Sequence, residues 1–505
     1  MGRLDALLRP LSQRQLLFFF ASAVLLFVYP VLKADYPFHD DVGRELLLGE
    51  HVWREQGRLS MELFQSLVSF NTHTINVFPL PMFIVLPVFT VALASLCKQY
   101  FPHSTVLECL VVLPLCYCPF FLGNLTYQYD GPMMVLALSC VMFAVSFQPE
   151  RYWVRMLCCA ALLALALSFY QITAHVFIGL CCVECVRRVG EGQSFKGISG
   201  LLAERVLQLL LGALFYDLTA LRLYASWRGG FVQPPQGWLP LLGNRIGEVI
   251  AVIRLLINDA NAWLFVFIGI VALAGLALTL LRTLRAFKPF WERMSLGVLL
   301  LIALFVLLLS VPGSILVLED FALNPRTLMG LSCVLVLVFY CAYNALAVLS
   351  PLANVVLLIP LYWMLSFSYA YGRVLLAQKN FETSVVYSIG YDFSSRQALR
   401  DIKDFYLIPP EHGQLWVPAV AATLDKLPAL RFVLSFEQIT IAERLPMAGI
   451  NNVAGIDSRV FNKASLGTDR VMLVNNKFYD IVRIKDVGYI LMKTPDELPN
   501  YQPRW

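Results

Sequence analysis

The feature that most constrains this chain is the run "LLFFFASAVLLFVYPVL" near its start, together with the apolar runs like it that recur up to residue 371. A helix of about 20 apolar residues crosses the roughly 30 Å of hydrocarbon in a bilayer, and only there can so much unbroken apolar surface be satisfied. Such runs fall at 16–32, 77–97, 106–122, 133–147, 156–171, 172–186, 206–217, 263–281, 294–318, 327–347 and 352–371. With 58% hydrophobic and 14% charged residues and a mean hydropathy of +0.68, an ordinary soluble globular chain is excluded. The expected fold is an α-helical polytopic membrane protein with about 11 transmembrane helices.

Lys and Arg collect in short cytoplasmic loops, so the basic residues orient the helices. With the N-terminus inside, the inner segments carry 14 Lys/Arg in 66 residues, and the outer segments carry 9 in 107. This favours a cytoplasmic N-terminus, and an odd number of spans then puts the C-terminal 372–505 outside. The first run lacks a small-residue cleavage pattern and is expected to stay as an anchor. The twelve cysteines all lie in or beside apolar runs and imply no disulfide framework. A net charge of +5 is ordinary for basic inner loops and points to no nucleic acid.

After the last run the pattern changes. "AYGRVLLAQKNFETSVVYSIGYDFSSRQALRDIKDF" has helical spacing, and "LRFVLSF", "DRVMLVNN", "FYDIVRI" and "VGYILMK" are short runs of β type between turn residues. The chain therefore divides into a membrane domain, 1–371, and a small external α/β domain, 372–505.

A transporter concentrates ionisable groups near the midplane of its helices. Here the centres of the runs are nearly free of charge, and the unusual polar residues lie at the outer ends. They are "HDDVGR" (39–44), "NLTYQYDG" (124–131), "SFYQ" (168–171) and "EDFALNPR" (319–326). A helix starting near Asp40 holds Asp40 and Asp41 in its first turn, where the macrodipole favours carboxylates, and places Arg44 on the same face. Val42, Leu46, Gly49 and Trp53 share the other face, giving an interfacial amphipathic helix that breaks at Gly57-Arg58. A second amphipathic stretch, "LSMELFQSLVSF", follows it.

Each residue also has a plainer reading. Asp40 and Asp41 can be a cap with a solvated neighbour, and Tyr127, Gln128, Tyr129 and Asp130 can be interfacial aromatics before a Gly-Pro turn. Tyr170 and Gln171 can be a belt residue and a helix end, and Arg326 can snorkel. Arg222, Arg228, Arg245 and Arg254 read as solvated loop charges; His51, His73 and His175 read as structural. No His/Cys/Asp cluster has zinc spacing.

The ordered set "HDDVGR", "GEHVWREQGRLS", "NTHTINVFPLP" (71–81), "NLTYQYDGPMM", "SFYQITAHVFIGL" and "NPRTLMG" (324–330) resembles the GT-C glycosyltransferases. Within them it resembles the serotype-converting O-antigen glucosyltransferases of the Gtr type II group, over roughly residues 15–350. The tail resembles nothing informative.

The resemblance implies an inverting transfer of a hexose, glucose above all, from a polyprenyl-phosphate-linked donor to a periplasmic glycan or lipid-linked glycan such as O-antigen. It implies a bacterial inner membrane, with the active site and the C-terminal domain periplasmic. A donor-making glycosyltransferase and a flippase would share the pathway. An inverting displacement needs one base, for which Asp41 is preferred over Asp40. The leaving phosphate needs a cation, for which Arg326 and Arg44 are suited; His39, Tyr127, Gln128, Tyr129, Asp130, Tyr170 and Gln171 are the expected substrate-binding residues. No metal ligand set or cofactor is expected beyond the lipid-linked donor, and a divalent-metal requirement stays open. The alternatives are a lipid-linked sugar transporter or flippase, a glycan polymerase, or a GT-C enzyme acting on protein or lipid A.

Overall fold

The computed structural model describes residues 7–225, 238–285, 289–409, 418–434, 440–455 and 470–493. Compact packing divides the chain into two units: residues 1–32 with 50–369, and 33–49 with 370–505. The sequence reading kept 33–49 with the membrane helices; here that segment packs with the C-terminal part.

In the first unit, hydrophobic runs become helices because a backbone surrounded by apolar side chains can satisfy its own N–H and C=O groups only within the helix. Among the described residues eight helices are long and apolar enough to cross a membrane. They begin with Gln13–Ala34 and Leu80–Tyr100 and end with Leu331–Leu349 and the stretch Pro351–Ser395, which continues into the second unit. Val106–Tyr117 and Pro119–Leu125 form a further pair bent by 45°, at a proline that cannot supply the next helical N–H. Asp130–Ser146 is a shorter apolar helix. Thr173–Gly190 carries Glu184, Arg187 and Arg188 in its last turns, where Glu184 is buried and paired with both arginines.

Two expectations about the outer segments are corrected. The stretch 218–262 is not all loop: Trp238–Arg254 is a helix, and Arg245 is buried, donating to the carbonyls of Leu316 and Leu318 at 2.6 and 2.7 Å. A guanidinium has five donors, enough to cap a bare turn of backbone. Arg222 pairs with Asp217 on the surface, and Arg228 lies outside the described residues. The amphipathic helix expected from Asp40 to Gly57 is also shorter, ending at Leu47 because Leu48 takes a left-handed φ of 44°. A separate 3-10 turn, Arg54–Gln56, and the helix Leu59–Ser69 follow.

The second unit contains a five-stranded sheet: β1 (Asp404–Ile408), β2 (Val453–Gly455), β3 (Val471–Asn475), β4 (Tyr479–Ile484) and β5 (Val487–Met492), in the order β2-β1-β5-β4-β3. β3, β4 and β5 form an antiparallel meander, and β1 lies parallel to both β5 and β2. Val385, Ile389 and Phe393 of the long helix Leu358–Ser395 pack on Phe405, Leu407, Ile481 and Ile490. The expected runs at 469–476, 478–484 and 487–493 hold the strands β3, β4 and β5, but the described part of "LRFVLSF" is not a strand. Ala429–Leu434 is a helix, because Leu430, Val433 and Leu434 are the buried positions, at i, i+3 and i+4. The helical tract expected through Phe405 stops at Ser395 and Arg400, and its last residues enter β1.

Candidate functional site

The first unit gathers residues from four separated segments around two arginines. Arg54–Gln56 is a tight turn closed by Gly57 at φ 72°, a left-handed value that suits glycine. A Cβ there would also lie 2.7 Å from the Tyr216 hydroxyl. The turn is pinned by Gln171, whose amide donates to the Gln56 carbonyl at 3.1 Å and to the Tyr216 hydroxyl at 2.8 Å. The chain thus reverses and aims Trp53 and Arg58 inward.

Asp130, almost fully buried in the first turn of its helix, accepts from Trp53 Nε1 at 2.7 Å and pairs with Arg58 at 3.6 Å. The Arg58 guanidinium lies 5.2 Å above the Tyr170 ring, and its buried Nε makes no hydrogen bond. The Tyr170 hydroxyl donates to the carbonyl of Arg326 at 3.2 Å, and the Arg326 guanidinium sits 5.0 Å over the Tyr127 ring. Asn124 donates to the same Arg326 carbonyl at 3.4 Å. Tyr170 lies within electrostatic reach of Arg326, Arg58 and Asp130 together. The result is a pair of cations, each laid on an aromatic face, with one carboxylate fixing the first. A guanidinium stacks on aromatic faces, and its planar fork matches the geometry of an oxyanion.

The expected residues Tyr127, Asp130, Tyr170 and Arg326 are therefore brought together. Gln128 and Tyr129 are buried and turned toward the 74–76 segment: Gln128 accepts from the Asn76 amide at 2.8 Å, and the Tyr129 hydroxyl donates to the Thr74 carbonyl at 2.9 Å. Sequence reasoning missed Trp53 and Arg58, which it had placed in or beside one long amphipathic helix. The expected helix already broke at Gly57; what went unseen is that it ends a full two turns earlier, at the left-handed Leu48. Nearby, Glu62 is buried and takes both Arg54 and His51, the latter at 2.8 Å.

The second unit holds the acid pair. His39, at φ 46°, starts the helix Asp40–Leu47, its ring set edge-on against Phe38 at 4.2 Å. Asp40 is 60% exposed and pairs with the buried Arg44 at 3.4 Å. Asp41 is fully buried, and its Oδ2 accepts the N–H of Phe38 at 2.9 Å. Two neighbouring carboxylates thus have different environments. Close by in the chain, the Tyr36 hydroxyl donates to Glu382 at 2.9 Å. Burial, with Glu382 beside it, holds that phenol well above its ordinary pKa, while Arg444 acts the other way. Tyr36 is therefore a neutral donor.

Among the described residues no three His, Cys, Asp or Glu side chains gather as a metal site. No solved structure matches the chain. One curated relative, the "uncharacterized 55.3 kDa protein in gtrB 5′ region" of Salmonella phage P22, is 24% identical over 200 residues. That stretch covers 39% of this chain and only 41% of the phage protein. The profile of the family described as "Glucosyl transferase GtrII" matches residues 29–337, which include the acid pair and every residue of the two-arginine cluster. The chain belongs to the glucosyl transferase GtrII family.

Proposed function

We propose that this protein is an inverting glucosyltransferase that moves glucose from a polyprenyl-phosphate-linked donor to a periplasmic glycan acceptor, lipid-linked O-antigen being the acceptor class in mind. Membership of a glucosyl transferase family supports the sugar and the reaction class. The observation that carries the donor half is the pair Arg58 and Arg326, each seated on a tyrosine face and linked through Tyr170.

In this reading the acceptor hydroxyl attacks the anomeric carbon, its proton passes to Asp41, and the bond from that carbon to the phosphate oxygen breaks. The polyprenyl phosphate leaves with the bonding electrons. A single displacement of this kind needs one carboxylate base and inverts the anomeric centre. Arg58 and Arg326 stabilise the charge that grows on the leaving phosphate, and charge-assisted bonds of this type are the strong ones. Asp130 and Trp53 orient Arg58. Asp41 is the buried member of the acid pair and is taken as the base, while Asp40 is exposed and pairs with Arg44.

The reading has the site and the C-terminal domain on the periplasmic face of a bacterial inner membrane, with a donor-making glycosyltransferase and a flippase upstream. The test is an assay of the purified protein in sealed proteoliposomes with radiolabelled polyprenyl-phosphate glucose and purified lipopolysaccharide. Label should pass to the glycan with inverted configuration. Movement of intact donor across a sealed vesicle without any glycosylated product would instead make the protein a lipid-linked sugar transporter.

A further inference from the structure

The loop that leads into the acid helix is held by side chains from the far end of the sequence. Arg444, the last residue of the helix Thr440–Arg444, donates to the Pro37 carbonyl at 2.8 Å and pairs with Glu382 at 3.2 Å. Its guanidinium also lies 4.8 Å over the Tyr36 ring. Glu382 accepts from the Tyr36 hydroxyl and the Gln378 amide. One turn earlier, Lys379 pairs with Asp35 at 3.2 Å. Tyr36, Glu382 and Arg444 are all buried, and in a desolvated network a two-pronged cation fixes geometry more firmly than a point charge. The neighbouring Glu443 comes against the acid helix itself, since a Cβ on Gly43 would lie 3.2 Å from its carboxylate oxygen.

The Pro37 carbonyl and the Phe38 N–H belong to one planar peptide group. When Arg444 fixes the oxygen end, the direction of the N–H is fixed as well, and that N–H is the donor to Asp41. We infer that Arg444, backed by Glu382 and Tyr36, is a positioning residue for the transfer reaction, and that the C-terminal sheet unit sets the orientation of the Asp41 carboxylate through the Pro37–Phe38 peptide. The inference rests on the reading of Asp41 as the base. It gives the C-terminal unit, which the sequence left without a task, a part in catalysis that involves no contact with substrate.

The experiment compares full-length Arg444→Met, Arg444→Lys and Asp41→Asn proteins in nanodiscs, with polyprenyl-phosphate glucose as donor and purified lipopolysaccharide as acceptor. Arg444→Met should lower kcat by about tenfold to a hundredfold, the usual cost of a misplaced catalytic group. Its donor KM should stay within about twofold, because no donor contact is lost. Arg444→Lys can keep the Glu382 pair or the Pro37 contact but not both, so its kcat should be intermediate. Should Arg444→Met not accumulate, Glu382→Gln, which keeps the shape but removes the charge that holds Arg444, should lower kcat severalfold at unchanged KM. Wild-type kcat in Arg444→Met, or in Glu382→Gln when that variant stands in for it, overturns the inference. If Asp41→Asn is inactive beside a fully active Arg444→Met, only the positioning role falls. If Asp41→Asn itself transfers sugar normally, the base assignment fails and the inference with it.

Discussion

Arg444 and Asp41 hold opposite ends of the same peptide group, Arg444 donating to the Pro37 oxygen at 2.8 Å and Asp41 accepting from the Phe38 nitrogen at 2.9 Å. The residues lie about 400 positions apart in the sequence, yet one rigid plane joins them. The consequence is an asymmetry between the two acids. Asp41 is fixed in a buried setting, whereas Asp40 faces outward and balances Arg44.

The Arg58 guanidinium is the cation the structure adds to the phosphate end. Arg58→Ala should reduce transfer by about a hundredfold, the order of loss when one preorganised donor to a developing anion is removed. Arg58→Lys keeps the charge but loses the planar fork and the stacking on Tyr170, so it should recover only part of the activity. Initial rates at saturating donor check both. Arg326→Lys should behave likewise; full activity in all three variants would leave both arginines without a part in the reaction.

Gly57→Ala tests the turn that aims Arg58. A left-handed residue other than glycine costs about 1–2 kcal/mol, and the new methyl would meet the Tyr216 hydroxyl. Thermal unfolding in nanodiscs should show a lowered midpoint, and turnover should fall more than the folded fraction does. A variant with wild-type midpoint and turnover would show that the turn does not govern Arg58.

Much of the architecture was legible because apolar runs and the membrane-exit motifs are local signals. Most of the eleven expected spans overlap helices, although eight of the described helices are long and apolar enough to cross a membrane and 106–122 is a bent pair. Three of the strands were visible in the alternation of "DRVMLVNN", "FYDIVRI" and "VGYILMK". What was hidden has identifiable causes. Strand β1 sits at the end of a tract of good helix formers, and only its parallel partners β5 and β2, both distant in sequence, make it a strand. The left-handed residue that ends the acid helix is Leu48, one position before the Gly49 that would ordinarily announce it, so Trp53 was read into the wrong element. Arg245 looked like a solvated loop charge because the carbonyls it caps come from residues 316 and 318. The pairing of Arg444 with Pro37 has no local signature at all.

Orientation is a prediction of the basic residues, 14 in 66 against 9 in 107. A periplasm-active reporter fused after Trp505 should be active and a cytoplasm-active one silent. The reverse pattern would put the C-terminal unit, and the acid helix packed in it, on the cytoplasmic side.

The most direct test of the account is the transfer rate of Asp41→Asn beside Asp40→Asn in the purified protein. Asn is nearly isosteric and can still accept the Phe38 N–H through its carbonyl oxygen, but it cannot take a proton from the acceptor. Asp41→Asn should lose on the order of a hundredfold or more in kcat, the usual contribution of a positioned base, with donor binding preserved. Asp40→Asn should lose far less, because Asp40 is exposed and its partner Arg44 stays buried in place. Near-normal transfer by both variants would contradict the account and leave the pair as a helix cap.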